Sequence, residues 1–339
     1  MNVFNSIRSS FLLYLPTTLT RFTKIITMSE DLKKTGSVGH EKMSQEQQAK
    51  IIEVRKLIGI LSEKETVYCT DATISRYLKS QNWNVKKASQ MLKQSLKWRR
   101  EYKPEEIRWD EVSKEAEIGK MYRANYCDKH GRPVIIMRTD RENSKSLKEE
   151  IKHFVYCMEN AVLNLPPLQE QVVWLVDFHG FNLSNVSFKI TREISHILQK
   201  YYPQRLGLAI MYDAPGIFQP FFAMVKVLLE SESYKKVKFV YSNDQNTKKI
   251  MEGLFDMDQL EPAFGGKNDT EFDMNKYAKR MKEEDNKMHS LWTRTNSLSL
   301  ASLNIPSSDS TGSEADSDAS NNEKTLGSSI PNPEKSLEV

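Results

Sequence analysis

The sequence predicts an α/β fold, because short apolar segments alternate along the chain with longer segments of helical periodicity. Four short apolar segments have the length of buried parallel strands: Val134–Met137, Val172–Val176, Leu208–Tyr212 and Val237–Tyr241. Between them, apolar residues recur at helical spacing in two segments that end at Pro166 and Pro203. This alternation is typical of parallel strands joined by helical crossovers. The order of the strands is left open.

A helical subdomain is predicted before the α/β region, over residues 41–103. Ser44 and Gln47 make a capping-box pattern at the start of a helix that is expected to reach Lys64. Asp71 is expected to cap a second helix, and Asn84 a third. The α/β domain itself is assigned to residues 104–280.

Both ends of the chain differ from these domains in composition. Residues 1–40 are predicted to be an extension, and residues 1–29 contain no acidic residue. Two interpretations of that segment stay open, an organelle transit peptide and an unstructured extension. Residues 281–339 are rich in serine and acidic residues and are predicted to be a disordered tail.

Composition narrows the class of protein. A formal net charge of +4 on 339 residues does not indicate a nucleic-acid partner. Three widely spaced cysteines make no disulfide framework, which favours a reducing compartment. The sequence has no apolar segment near the roughly 20 residues that a membrane-spanning helix requires. These features favour a cytoplasmic protein that can touch a membrane only from outside. We expect a monomer whose association with membranes is transient.

Motifs of catalysis are not found in the sequence. It has neither the G-x-G-x-x-G pattern of dinucleotide sites nor the G-x-S-x-G pattern of hydrolases. Asp177 and His179 follow a predicted strand and could in principle act as an acid/base pair, as in an α/β-hydrolase-like enzyme. No nucleophile or metal-ligand set accompanies them. The prediction is a protein that is not an enzyme and requires neither cofactor nor metal.

One segment needs a separate explanation, because its helical part is apolar around almost its whole circumference. Within residues 220–230 only Lys226 and Glu230 are charged. An ordinary surface helix has one apolar stripe and a polar face. The residues alone leave two interpretations open: a fully buried core helix, or a lid that covers an apolar cavity on one side and meets a membrane on the other.

Several spaced motifs resemble, in order, those of the CRAL-TRIO family. They are Leu96–Arg99, Val176–Gly180, Tyr202–Gly207, Asp213–Pro215 and Phe264–Lys267. The resemblance covers residues 41–275 and is closest to short plant and slime-mould members. It implies a lipid-binding bowl with a mostly parallel sheet as floor, helical walls, and a mobile gate helix over residues 218–230. The resemblance thus favours the lid.

The resemblance also implies the residues of the site. Ser233, Lys236 and Gln204 match positions that bind a phosphatidylinositol headgroup, whereas the two basic residues expected there in the helical subdomain are Gln81 and Asn82. The implied cavity and gate residues are Trp174, Phe178, Tyr201, Met211, Phe218, Phe221, Phe222, Val225, Leu228 and Leu229.

The implied function is to bind a single lipid, a phospholipid or another hydrophobic ligand, and to transfer or present it at membranes. Phosphatidylinositol is the first candidate, because Ser233 and Lys236 persist. Two alternatives remain: a lipid-sensing interaction module, and a carrier of a sterol, a prenyl lipid or a fatty acid, for which Trp174 would reshape the cavity.

Overall fold

The computed structural model describes residues 43–141 and 146–302. Its first part is a group of four helices: α1 (Gln45–Ile58), α2 (Glu63–Tyr68), α3 (Asp71–Ser80) and α4 (Val85–Tyr102). They enclose a small hydrophobic core of their own, which includes Ile51, Tyr77 and Leu92. The predicted extension over residues 1–40, including the segment 1–29, lies outside the described residues.

Local chemistry sets the ends of these helices, and two predicted ends are wrong. The helix from Ser44 stops at Ile58 instead of Lys64, because Gly59 adopts φ +83°, which favours glycine. Thr70, not Asp71, caps α3 by accepting the backbone N–H of Thr73. The capping role of Asn84 is confirmed.

A five-stranded sheet follows, with its strands in sequence order. The strands are β1 (Met121–Cys127), β2 (Pro133–Arg138), β3 (Val172–Asp177), β4 (Leu206–Tyr212) and β5 (Val237–Val240). β1 pairs with β2 in the antiparallel direction, and all other pairs are parallel. The predicted α/β class and its four strands are confirmed. β1 was not predicted, because the buried Arg123 interrupts its apolar pattern.

Helices lie against the sheet and connect its strands. They are α5 (Trp109–Ala116), α6 (Leu147–Leu163), α7 (Phe188–Tyr201), α8 (Gln219–Lys226), α9 (Ser231–Lys235), α10 (Gln245–Leu254) and α11 (Met274–Ser302). The α6 residue Phe154 packs edge-on against Trp174 of β3, with ring centroids 5.7 Å apart. The main core is formed where these helices meet the sheet. Among the described residues, no helix has the length and apolar content to cross a membrane.

The C-terminal helix α11 corrects the predicted tail. Residues 281–302 are helical, so a disordered tail does not begin at residue 281. Met281 is fully buried and Glu284 nearly so. The Asp285 carboxylate accepts the backbone N–H of Trp109 at 2.7 Å and the Tyr156 hydroxyl at 2.9 Å. The acidic, serine-rich remainder of the predicted tail lies outside the described residues.

His153 of α6 makes the stability of the fold depend on pH. The imidazole is buried, 3.5 Å from the Cys157 sulfur, and burial lowers the pKa of His153 to about 4 from an ordinary value of 6.5. The unfolded chain therefore binds this proton more readily below pH 6.5. The contribution of the neutral His153 to the free energy of unfolding is fully present above pH 6.5. About 3 kcal/mol of it is lost as the pH falls to 4.

We expect His153→Leu to flatten this pH dependence of the free energy of unfolding, measured by urea denaturation between pH 4 and 7. The exposed His196 of α7 provides a matched control, because His196→Leu should leave the wild-type slope in place. Equal slopes for wild type and His153→Leu would contradict the assignment.

Candidate functional site

The sheet presents an apolar face, here called the gate face, toward helix α8. Side chains alternate along a strand, and the registers of neighbouring strands place one residue row across the sheet. That row joins Met137 of β2, Val176 of β3, Met211 of β4 and Phe239 of β5. All four belong to or pack against one hydrophobic cluster. Apolar side chains on four adjacent strands make a continuous floor.

Helix α8, which is called the gate helix because it lies within the predicted gate segment, covers this floor with one of its sides. A short 3-10 turn, Gly216–Phe218, leads into it, and Pro220 occupies its first turn, where a missing N–H costs no hydrogen bond. Phe218 packs against Phe178 with ring centroids 4.5 Å apart, and Phe222 against Phe239 at 5.0 Å. The buried side of the helix is completed by Phe221 and Val225.

The opposite side of the gate helix is apolar and faces solvent. Met224 is 49% exposed and Val227, directly after the helix, is 81% exposed. Ile217, in the turn before it, is 63% exposed. These three residues are called the outer patch. The interpretation as a fully buried core helix is therefore wrong, because only one of the two apolar sides of this segment is packed.

The gate helix is shorter than predicted. It ends at Lys226 instead of residue 230, since Leu228 and Leu229 donate to carbonyls only three residues back. The segment is then held by Gln199 of α7, whose Nε2 donates to the Leu228 carbonyl at 3.0 Å and whose Oε1 accepts the Glu230 N–H at 2.6 Å. This two-sided amide contact ties the end of the gate to the neighbouring helix. An isolated glutamine gives no sequence signal for it.

The three predicted headgroup residues lie together beside the gate. Lys236 Nζ donates to Gln204 Oε1 at 3.3 Å, and the Lys236 backbone N–H donates to the Ser233 carbonyl at 3.2 Å. Tyr234, which follows Ser233 in α9, stacks with Phe222 of the gate helix, with ring centroids 6.2 Å apart. The group is therefore continuous with the gate. Gln204 and Lys236 sit just before β4 and β5.

Electrostatics make Lys236 a candidate anion-binding group. The side chain is half-buried, and this burial lowers the pKa of Lys236 against the opposing influence of Glu232 and Glu230. Within the part of the chain that the structure describes, Lys236 forms no salt bridge, whereas the adjacent Lys235 pairs with Glu232 at 2.6 Å. A half-buried ammonium whose side-chain contact is a neutral amide is suited to a phosphate.

Three further predicted cavity residues are only partly buried. Trp174 and Met211 lie on the inner strands β3 and β4, yet both keep some accessible surface beneath the helices. Met211 packs against both the main core and the gate cluster. Tyr201 lies elsewhere: its ring stacks on Trp98 of α4 at 4.2 Å, at the contact with the helical subdomain. Trp174 and Met211 therefore keep apolar surface on inner strands of the sheet, whereas Tyr201 does not belong to the same group.

Asp177 and His179 are not arranged as an acid/base pair. The Asp177 carboxylate accepts the backbone N–H of His179 at 2.8 Å, and burial raises the pKa of Asp177. This contact stabilises the turn to Gly180, which adopts φ +67°. The described residues contain no group of three His, Cys, Asp or Glu side chains that could hold a metal ion. The arrangement favours a structural role for Asp177.

A separate cavity of about 350 Å³ lies between the helical subdomain and α11. Its wall includes Lys64 and Glu106, whose side chains pair at 2.6 Å, and Arg100, which pairs with Glu65. Charged walls are unfavourable for an acyl chain. None of the predicted site residues lines this cavity, so the gate face remains the candidate site.

Comparison with known proteins shows similarity to one family and to several of its members. A family model described as "CRAL/TRIO domain" matches residues 117–266. The chain is similar to a CRAL-TRIO domain-containing protein of Schizosaccharomyces pombe, with 32% identity over 218 residues, 64% of this chain and 21% of the relative. It is also similar to a phosphatidylinositol transfer protein of Saccharomyces cerevisiae, with 27% identity over 192 residues, 53% of this chain and 55% of the relative.

The chain is also similar to two further proteins. The SEC14 cytosolic factor of Yarrowia lipolytica is 28% identical over 228 residues, 62% of this chain and 46% of the relative. The crystal structure of Sfh5 superposes with a TM-score of 0.49 at 16% identity, over 61% of this chain and 74% of that one. The chain spans about a fifth to about half of the length of the curated relatives described above.

Proposed function

Because residues 117–266 of this chain form a CRAL/TRIO domain, we propose that the protein binds one lipid between the gate face and the gate helix, and transfers or presents it at membranes. The observation that carries the proposal is the gate helix, whose inner side packs on apolar strands while its outer patch is exposed. A helix with two apolar sides suits a lid, since its outer patch can contact a membrane while its inner side covers the lipid.

The free energy of hydrocarbon transfer explains why such a lid is required. Exposing an acyl chain to water costs about 0.8 kcal/mol per CH₂, so a chain of about 16 carbons costs on the order of 10 kcal/mol. A carrier must offer the lipid an environment nearly as apolar as the bilayer. The side chains on the floor and on the inner side of the gate offer that environment without covalent chemistry.

Phosphatidylinositol is the first candidate ligand, and Lys236 is the residue proposed to bind its phosphate. The printed name of the Saccharomyces cerevisiae relative is a phosphatidylinositol transfer protein. In this chain the ammonium of Lys236 is half-buried beside the neutral Gln204 amide. We propose that a lipid phosphate replaces Gln204 as its main partner, with the Ser233 hydroxyl as a second donor.

Lys236→Ala is expected to lower the rate of phosphatidylinositol transfer between vesicles about tenfold or more, because a hydrogen bond to a charged group contributes about 1.5–3 kcal/mol. Lys235→Ala is the matched control, since Lys235 is the neighbouring residue, is exposed and pairs with Glu232. Equal transfer rates for the two variants would contradict the headgroup assignment without contradicting lipid binding itself.

The outer patch is proposed as the membrane contact. Replacing Met224 and Val227 together by serine should weaken binding to phosphatidylcholine vesicles at least about tenfold, since apolar burial is lost while no packed side chain changes. The control is Ile60→Ser, because Ile60 is a fully exposed apolar residue between α1 and α2. Sedimentation with vesicles measures both. An unchanged double variant would contradict the membrane role of this patch.

A further inference from the structure

Trp174 lies on the same side of the sheet as the gate face, two residues before Val176, and packs against the main core. It lies on β3, the third of five strands, and its strand partners are Ile135 on β2 and Ala209 on β4. The neighbouring Ala209 has a small, buried side chain. Phe154 of α6 meets the indole edge-on at 81°. These three neighbours, Ile135, Ala209 and Phe154, have hydrocarbon side chains that cannot accept a hydrogen bond.

The N–H group of this indole has no partner. Trp174 Nε1 is buried, and among the described residues no atom accepts a hydrogen bond from it. An indole can only donate, and a buried donor without an acceptor lowers stability. Buried indole N–H groups usually find a partner for this reason. An unsatisfied donor on the candidate ligand-binding face is therefore expected to find its acceptor on the ligand.

The position of Trp174 relates this donor to the headgroup residues. Ala209 is the strand partner of Trp174 on β4, and its backbone N–H donates to the Lys236 carbonyl at 2.9 Å. The indole thus lies two strand spacings, about 10 Å, from the strand that Lys236 precedes. A lipid with its phosphate at Lys236 would have oxygen atoms of its ester groups in the region between them.

We infer that the Trp174 indole N–H donates a hydrogen bond to the bound lipid, and that the ligand carries a neutral acceptor oxygen within its apolar body. This inference rests on the proposed function, because it specifies the chemistry of the lipid beneath the gate. The ester carbonyl of a glycerolipid and the hydroxyl of a sterol both provide such an oxygen. A saturated hydrocarbon body without oxygen does not.

The test measures the affinity of the full chain for two pairs of probes. One pair is phosphatidylinositol with ester-linked chains and its ether-linked analogue, which lacks the carbonyls; the other is ergosterol and its 3-deoxy analogue. Wild-type protein is expected to prefer the oxygen-bearing member of at least one pair by about three- to tenfold. The pair that shows the preference identifies the source of the acceptor. This comparison on the wild type does not depend on how a variant folds.

Trp174→Phe should bind both members of that pair equally. The matched control is Trp292→Phe, because Trp292 Nε1 is also buried without a partner among the described residues but lines the separate cavity near α11. That variant should keep the wild-type preference. A wild type without preference in either pair, or a Trp174→Phe variant that keeps the preference, would overturn the inference. Wild-type protein that binds none of the four probes would overturn the proposed function as well.

Discussion

Truncation of the chain after residue 280 is expected to prevent stable folding, although a sequence-based boundary places a disordered tail from residue 281. The truncation removes the fully buried Met281 and the Glu284 carboxylate, which lies 3.5 Å from the buried Arg123 guanidinium. It also removes Asp285, which accepts hydrogen bonds from Trp109 and Tyr156. Exposed core and an unpaired buried charge together cost several kcal/mol, against a typical total stability of about 5–15 kcal/mol.

The control for this prediction is truncation after Ser302, which leaves α11 complete. Thermal unfolding followed by circular dichroism should show a wild-type midpoint for the longer chain and no cooperative transition for the shorter one. Similar transitions for both truncations would contradict the structural role assigned to α11.

Arg99→Ala is expected to destabilise the protein by about 3–5 kcal/mol, because it breaks a buried ion cluster from one side. The Arg99 guanidinium donates to both oxygens of Glu159, at 2.9 and 3.0 Å, and lies 3.2 Å from Glu105. The Tyr202 hydroxyl donates to Glu159 at 2.7 Å. The cluster joins α4 of the helical subdomain to α6, so its loss should also loosen the contact between the two parts.

Urea denaturation measures this loss against the neighbouring Arg100→Ala. Arg100 is mostly exposed, and its pair with Glu65 should contribute at most about 1 kcal/mol. Replacing Arg99 and Glu159 together by methionine should recover only part of the stability, since the Arg99–Glu159 pair is then removed as a whole while the buried Glu105 still loses its partner. A cost below about 1 kcal/mol for Arg99→Ala would contradict the proposed contribution of the cluster.

The parts of the fold that could be predicted are those whose pattern of apolar residues lies within a short stretch of sequence. The continuous apolar segments that became β2 to β5 need no distant partner to be recognised as buried strands. β1 escaped recognition because Arg123 is satisfied by Asn160 at 2.5 Å and by Glu284, which lie far along the chain. The extent of α11 was missed for a related reason: its polar residues bind groups on β1, α5 and α6.

In the candidate site, too, features set by local sequence were predictable and contacts between distant residues were not. The apolar residues of the gate segment predicted a helix with two apolar sides, and the structure packs one side and exposes the other. The resemblance named Gln204, Ser233 and Lys236, but only the structure shows that the lysine contacts the glutamine. Gln199 and the unpaired indole N–H of Trp174 could not be predicted, because each depends on which groups the fold brings into contact.

The most direct test of lipid binding beneath the gate is native mass spectrometry of the full-length protein, purified without detergent and then incubated with phosphatidylinositol vesicles. We expect a complex with one lipid molecule per chain, and much weaker lipid retention in a Phe222→Asp variant, since that charge would face Phe239 on the floor. A wild-type protein that carries no lipid and takes up none would contradict the account.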